Sequence, residues 1–174
     1  MLHIDSDLLK RRGVDFSKRF NTRITNSQEF NIDSDNFTFA TRMKADSVFD
    51  RLCGWMDLII VTEVHVFSVS WTSRGCEKYA EYKLGEIVRK GADSDLSELG
   101  CDVYDWQDLE IRVRDRHAEI HLNGRPVYQE NYKQDFGKIV SLIYLFDGTG
   151  TIDYAKLIDG QGKIAFQDDF IAQQ

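Results

Sequence analysis

The chain has 174 residues, of which 42% are hydrophobic and 12% aromatic, and its 29 acidic and 22 basic residues give a formal net charge of −7. This apolar content excludes an intrinsically disordered chain, and the length predicts a single globular domain spanning residues 1–174. The acidic balance excludes an extended nucleic-acid interface, because such interfaces need clustered Lys and Arg to neutralise phosphates. The sequence has no apolar run near the ~20 residues that span a bilayer, so we expect no membrane span in this chain.

The first hundred residues predict mainly short strands. Asp5 to Arg12 has the character of a helix of about two turns, whereas Phe37 to Lys44 alternates apolar with polar residues, as a strand with one solvated face does. Leu58 to Trp71 is rich in Val and Ile and predicts two central strands joined by a tight turn or bulge. Tyr79 to Leu84 is a further predicted strand, and Asp93 to Leu99 is a second short helical segment.

The last seventy residues carry the clearest strand signals. Leu109 to Val113 and Ala118 to Leu122 alternate apolar with polar residues on either side of a polar break, which predicts a β-hairpin. Asn123-Gly124 follows at once and predicts a second reversal, because both residues accept positive φ. Three more strands are expected at Ile139 to Phe146, at Ile152 to Ile158 and around Ile164, Phe166 and Phe170. Ten or more short strands with frequent turns predict an all-β fold, a sandwich of two antiparallel sheets.

The three cysteines, Cys53, Cys76 and Cys101, form no C-x-x-C pair and have no histidine at zinc-finger spacing. Our first expectation is that they are free, partly buried thiols without a catalytic role. The alternative is a disulfide between Cys76 and Cys101, which an oxidising compartment would allow.

Four segments of the C-terminal part resemble a known superfamily: Trp106 to Val113, Ala118 to Val127, Phe146 to Asp153 and Phe166 to Phe170. This part of the chain resembles the concanavalin A-like lectin/glucanase jelly roll, including its laminin G-like modules and the 3-keto-disaccharide hydrolase domain. The resemblance implies a jelly-roll β-sandwich, and the two short helical segments predicted above add one or two short helices to it. It leaves three functions open, namely sugar binding, glycoside cleavage and adhesion.

Catalysis of glycoside hydrolysis requires two carboxyl groups that face each other across the sugar. Glu63 is the nearest approach to an inward acid, with His65 two residues later, but this run contains no second carboxylate. Whether the chain is an enzyme therefore stays open, and we expect no catalytic residues.

Pairs of aspartates separated by one serine could supply oxygen ligands to a calcium ion. The best of these pairs is Asp33 and Asp35 at the entrance to a predicted strand, which makes Ca²⁺ a possible cofactor. The alternative is that these carboxylates are solvated residues of turns. We expect no other cofactor.

The aromatic residues of the middle strands are the most suggestive set. Sugar rings stack their C–H faces on aromatic rings and exchange hydrogen bonds with polar neighbours. The candidates for such contacts are Trp55, Glu63, His65, Trp71, Arg74, Tyr79 and Tyr82. We therefore predict a non-catalytic binding module whose partner is a carbohydrate. The alternatives are a glycoside-processing domain of the 3-keto-disaccharide hydrolase type and an adhesion module that binds another protein.

The sequence does not fix the compartment or the oligomeric state. The N-terminus lacks the apolar core and cleavage site of a signal peptide. We expect a cell-envelope or extracellular location if the chain is part of a longer precursor, and a cytoplasmic one otherwise.

Overall fold

The computed structural model describes residues 2–3, 10–13, 21–26, 30–46 and 52–170. These residues form an all-β sandwich. Within the described part of residues 21–170, its helices are two single 3₁₀ turns, Glu77–Tyr79 and Ser97–Leu99. The strands are β1 (Leu2–His3), β2 (Asn21–Thr25), β3 (Ile32–Asp33), β4 (Phe37–Ala45), β5 (Trp55–Thr62), β6 (Val66–Ser73), β7 (Glu81–Leu84), β8 (Ile87–Lys90), β9 (Gly100–Cys101), β10 (Gln107–Arg114), β11 (His117–Leu122), β12 (Arg125–Asn131), β13 (Lys138–Asp147), β14 (Gly150–Asp159) and β15 (Ile164–Asp168). The jelly-roll expectation is confirmed.

The strands belong to two sheets. Sheet A has the order β1-β14-β4-β10-β11-β12, with β15 also paired to β14. Sheet B has the order β2-β13-β5-β6-β7-β8, with β3 on β13 and β9 on β6. The short β6–β9 contact is parallel, and the other pairs are antiparallel.

The core lies between the sheets because each strand turns every second side chain inward. In β5, Met56, Leu58 and Ile60 are fully buried, and the residues between them are only half-buried. In β4 the same alternation buries Phe39 and Met43. The outer face of β5 therefore carries the intervening residues, which begin with Trp55.

The predicted hairpin and the reversal after it are confirmed. β10, β11 and β12 are consecutive antiparallel neighbours in sheet A. The first turn uses Asp115 and Arg116 at φ 48 and 65, and the second uses Asn123 and Gly124 at φ 53 and 76. The long run from Leu58 to Trp71 also divides into two central strands as expected, with a turn at residues 63–65.

Two expectations about local structure need adjustment. The helix predicted over Asp93 to Leu99 is wrong, since only the 3₁₀ turn Ser97–Leu99 forms there. The helix predicted over Asp5 to Arg12 falls largely outside the described residues, which include only positions 10–12 of it. No helix in the described ranges has the length and hydropathy needed to cross a membrane.

Both expectations for the cysteines, three free thiols or a disulfide between Cys76 and Cys101, are wrong in part. Cys53 and Cys76 form a disulfide with Cα atoms 5.8 Å apart, and Cys101 is a free, buried thiol. The bridge ties the start of β5 to the loop after β6, because these two segments are neighbours at the same end of sheet B. Burial raises the pKa of the Cys101 thiol to about 12, so this thiol stays protonated and is a poor nucleophile at neutral pH.

Candidate functional site

A cleft of about 600 Å³ opens on the outer face of sheet B, and we call it the Trp55 pocket. Three strands and the loop closed by the disulfide build it. Its lining residues are Cys53, Gly54, Trp55, Asp57, Ser70, Thr72, Tyr79 and Glu81.

The polar part of the Trp55 pocket comes from one row of paired residues across sheet B. Asp57 on β5 faces Ser70 on β6, Ser70 faces Glu81 on β7, and Glu81 faces Lys90 on β8. Side chains directly opposite in neighbouring strands are about 5 Å apart at Cβ, and those in one row point to the same side of the sheet. Two carboxylates and a hydroxyl group are therefore presented together.

The aromatic part comes from two different elements. Trp55 is half-buried at the start of β5, and Tyr79 ends the 3₁₀ turn that follows Cys76. The Tyr79 side chain is 61% exposed. Since the disulfide joins Cys53 to Cys76, it holds the two aromatic residues at the same end of the sheet.

The backbone beneath Trp55 is fixed by Gly54. Its amide donates to the Ser73 hydroxyl at 3.1 Å, and its carbonyl accepts from the Ser73 amide at 3.0 Å. A Cβ atom on Gly54 would come within 2.7 Å of the Tyr104 hydroxyl oxygen and 2.9 Å of a Val103 methyl group. The chain thus passes through a space that only glycine fits without rearrangement.

Two polar atoms in the pocket lack a partner. Asp57 Oδ1 and Thr72 Oγ1 are both buried and form no hydrogen bond with any residue that the structure describes. Thr72 as a whole is only 1% exposed, although it lies on the outer face of β6. A buried polar atom without a hydrogen-bond partner costs about 1–3 kcal/mol, so these two atoms lower the stability of the fold as it stands.

The electrostatics of Asp57 follow from its position. Burial, opposed by a hydrogen bond from Ser70 and reinforced by the charge of Glu81, raises the pKa of the Asp57 carboxyl from 3.8 to about 6. In β13 the residue opposite is Leu145, and Trp55 and Ile59 flank Asp57 on the same face of β5. This apolar surrounding is the physical cause of the desolvation.

The sequence-based candidates divide between this pocket and other places. Trp55 and Tyr79 line the pocket as expected. Trp71 and Tyr82 do not: both are fully buried between the sheets, and the prediction that they stack on a sugar is therefore wrong. The physical reason is that side chains alternate between the two faces of a strand, and Trp71 and Tyr82 occupy inward positions of β6 and β7.

Glu63, His65 and Arg74 lie away from the pocket. Glu63 and His65 belong to the turn at the far end of β5, where the Glu63 carboxylate accepts from the Lys138 amide at 2.9 Å. The His65 ring packs against Phe136 with ring centroids 5.1 Å apart. Arg74 is exposed and lines a separate cleft of about 520 Å³.

The calcium candidates lie in a third cleft, of about 980 Å³, among the loops near β3 and β15. Asp33 is exposed, and the Asp35 carboxylate is 2.8 Å from Nε of Arg116. Within the described ranges no three His, Cys, Asp or Glu side chains come together as a metal-binding group. Calcium binding stays a sequence-based prediction that this arrangement does not support.

Sequence reasoning missed Asp57, Ser70 and Thr72. One signal for Asp57 was present: Trp55 and Asp57 are two residues apart at the start of a strand, so both must point to one face. Ser70 and Thr72 carried no comparable signal, because serine and threonine at the outer positions of a strand are ordinary.

Comparisons with known proteins identify the fold. No protein-family model matches the sequence, and no curated protein sequence matches it. Several solved structures do match by shape. The carbohydrate binding module CBM66 from Bacillus subtilis has a TM-score of 0.52 at 12% identity, over 78% of this chain and 80% of its own.

Two galectins have similar TM-scores and similarly low sequence identities. Human galectin-16, as a double variant, has a TM-score of 0.51 at 12% identity over 81% of this chain and 95% of its own. Sheep galectin-11, in complex with glycerol, has a TM-score of 0.50 at 8% identity over 81% of this chain and 98% of its own. The chain shares the β-sandwich fold of these three proteins.

Proposed function

We propose that this chain is a non-catalytic carbohydrate-binding module and that the Trp55 pocket is its binding site. The observation that carries the proposal is the combination of two aromatic side chains, Trp55 and Tyr79, with the polar groups of Asp57, Ser70 and Glu81 in one cleft. An aromatic surface beside hydrogen-bonding groups matches the two faces of a sugar, which are apolar at C–H and polar at the hydroxyls.

In this proposal each part of the pocket has a separate task. The rings of Trp55 and Tyr79 cover the apolar face of a sugar residue. The Asp57 carboxylate accepts a hydrogen bond from a sugar hydroxyl group, and Ser70 supplies a hydroxyl that can donate or accept. The fold comparison supports this assignment, because one structural neighbour is by name a carbohydrate binding module.

A secreted or cell-envelope location fits the same proposal. Structural disulfides persist in oxidising compartments and are rare in the reducing cytosol of mesophiles. The Cys53–Cys76 bridge borders the pocket and so supports an oxidising setting for the binding site.

The test is glycan-array binding of the wild-type protein, Trp55→Ala and Tyr79→Ala. Losing one stacked ring costs on the order of 1–3 kcal/mol, by analogy with base stacking, which is a roughly 5- to 150-fold loss of affinity. Trp106→Ala is the matched control, because Trp106 is half-buried immediately before β10 and is not part of this pocket. The proposal fails if no glycan binds, or if both pocket variants retain wild-type affinity while circular dichroism shows a native fold.

Glycoside hydrolysis is the second candidate, favoured by the carboxylates of Asp57 and Glu81 in one cleft. The strand spacing separates their Cα atoms by about 9.5 Å, and the raised pKa of Asp57 suits a general acid. Incubating the protein with any glycan that it binds, followed by an assay for new reducing ends, distinguishes the two functions. Formation of new reducing ends by the wild type that is lost in both Asp57→Asn and Glu81→Gln would establish hydrolysis.

A further inference from the structure

The Trp55 pocket has a marked imbalance of charge. Asp57 and Glu81 contribute two carboxylates, and none of the described residues that line the cleft is Lys or Arg. Two of the described cations lie at its rim: Lys90 Nζ is 3.8 Å from Glu81 Oε2 in an exposed pair, and Lys78 Nζ is 4.9 Å from the centroid of the Tyr79 ring.

Asp57 is the group with the largest unmet requirement. An ionised carboxylate only accepts hydrogen bonds, and here one of its oxygens is buried without a donor. A sugar hydroxyl supplies one neutral donor. A protonated amine supplies up to three donors together with a compensating charge, and such charge-assisted hydrogen bonds are roughly twice as strong as neutral ones.

The aromatic rings favour the same kind of ligand. Cations are attracted to the faces of Trp and Tyr within about 6 Å of the ring centroid. The Lys78 ammonium already lies at such a distance from the Tyr79 ring, so Trp55 is the aromatic ring that we assign to a ligand cation. An anionic sugar would instead meet two carboxylates with no opposing cation in the lining.

We propose that the Trp55 pocket selects sugars that carry a protonated amine, such as the unacetylated 2-amino-2-deoxyhexose units of chitosan, over neutral and acidic sugars. This inference rests on the proposed carbohydrate-binding function and names the class of sugar for that site.

The inference predicts a pH optimum. The Asp57 carboxyl ionises above its pKa of about 6, and the sugar amine loses its charge above its own pKa, which the neighbouring hydroxyl and acetal oxygens lower below that of an alkyl amine. Binding should therefore be strongest in a narrow window just above pH 6, between these two pKa values. Of the described charged groups on this face of sheet B, Glu81 strengthens the preference for a cation. Arg23 in the same row across β13, Lys83 beside Glu81 on β7, and Lys90 and Lys78 at the rim weaken it.

The experiment is calorimetric titration with two oligosaccharides of equal length, one built from free 2-amino sugars and one from their N-acetylated forms. We expect the amine oligomer to bind at least about 10-fold more tightly at pH 6.5. The ratio of its affinity to that of the N-acetylated oligomer should fall several-fold at pH 5, and also in each of the variants Asp57→Asn and Glu81→Gln. Asp153→Asn is the matched control, because it removes an exposed carboxylate of sheet A that pairs with Arg42.

Each outcome separates the two proposals. If the N-acetylated or another neutral sugar binds as tightly as the amine oligomer and Trp55→Ala weakens that binding, the proposed function holds and the amine preference is wrong. If Trp55→Ala leaves binding of the amine oligomer unchanged, the attraction is non-specific and the amine preference is again wrong. If neither oligomer nor any glycan of an array binds, the proposed function itself is wrong.

Discussion

Asp57 and Glu81 lie in the same row of sheet B with a single residue, Ser70, between them. Both carboxylates point away from the core into the cleft that Trp55 and Tyr79 border. Each of the other central positions of β5 on this face holds an aromatic or aliphatic residue, so the carboxyl of Asp57 is a polar group within an apolar surface. This relationship gives the pocket its chemistry and leads to measurable consequences for stability.

Replacing Asp57 with Asn should stabilise the fold at neutral pH. Because burial raises the pKa of Asp57 from 3.8 to about 6, the native state binds its proton more tightly than the unfolded state does. Ionised Asp57 therefore lowers the free energy of unfolding above pH 6, by up to about 3 kcal/mol, and this cost disappears below about pH 4.

Urea unfolding of wild type and Asp57→Asn at pH 7.5, 5 and 3.5 measures this effect. We expect the variant to be more stable at pH 7.5 and the difference to shrink steadily as the pH falls. A difference that is independent of pH would show that the pKa of Asp57 is not raised in the folded protein.

The two tryptophans on β5 and β6 should behave in opposite ways. Trp71→Ala removes a fully buried ring from the core and should cost about 3–5 kcal/mol of unfolding free energy. Trp55→Ala removes a half-buried ring from the outer face and should cost about 1 kcal/mol or less while weakening ligand binding. Chemical denaturation of both variants provides the comparison, and equal losses of stability would contradict the inward and outward assignment.

Removing the Cys53–Cys76 disulfide should affect both stability and binding. A bridge across 23 residues restricts the unfolded chain by about 3 kcal/mol in the loop-entropy description. Binding should weaken as well, because the bridge holds the Trp55 and Tyr79 segments together. We would measure urea unfolding and glycan affinity of the Cys53→Ser, Cys76→Ser double variant and of the wild type with and without reductant.

Cys101→Ala is the control for that experiment. Its thiol is free, so this variant should still lose stability on reduction to the same extent as the wild type. If reductant changes neither stability nor binding in any of these proteins, the bridge is not formed in solution.

The turn after β11 should depend on Gly124. Its φ of 76 lies in the left-handed region, where a side chain costs about 1–2 kcal/mol. Asn123 tolerates its own positive φ and also anchors the turn, because its side chain accepts from the Asp108 amide at 3.0 Å and donates to Gln107 Oε1 at 2.7 Å. Gly124→Ala should therefore lower the free energy of unfolding by about that amount in thermal or urea melts, and an unchanged midpoint would be inconsistent with this geometry.

The period of two in the sequence determined most of the architecture. Alternating residues from Leu109 to Leu122 fixed a hairpin, and Asn123-Gly124 fixed the reversal after it, because both signals are local to a few residues. The same alternation could have placed Trp55 and Asp57 on one face. The sequence by itself thus determined these C-terminal strands, the turns between them and the sandwich class.

Tertiary structure alone decided which face of each strand is the core and which segments meet. Trp71 and Tyr82 have the same side chains as Trp55 and Tyr79. Only the packing of sheet B against sheet A buries the first pair and leaves the second pair accessible. The Cys53–Cys76 pairing and the row from Asp57 to Glu81 join residues from different strands. Such contacts depend on strand order and register, which arise when the whole chain buries its apolar faces at once and which no single segment encodes.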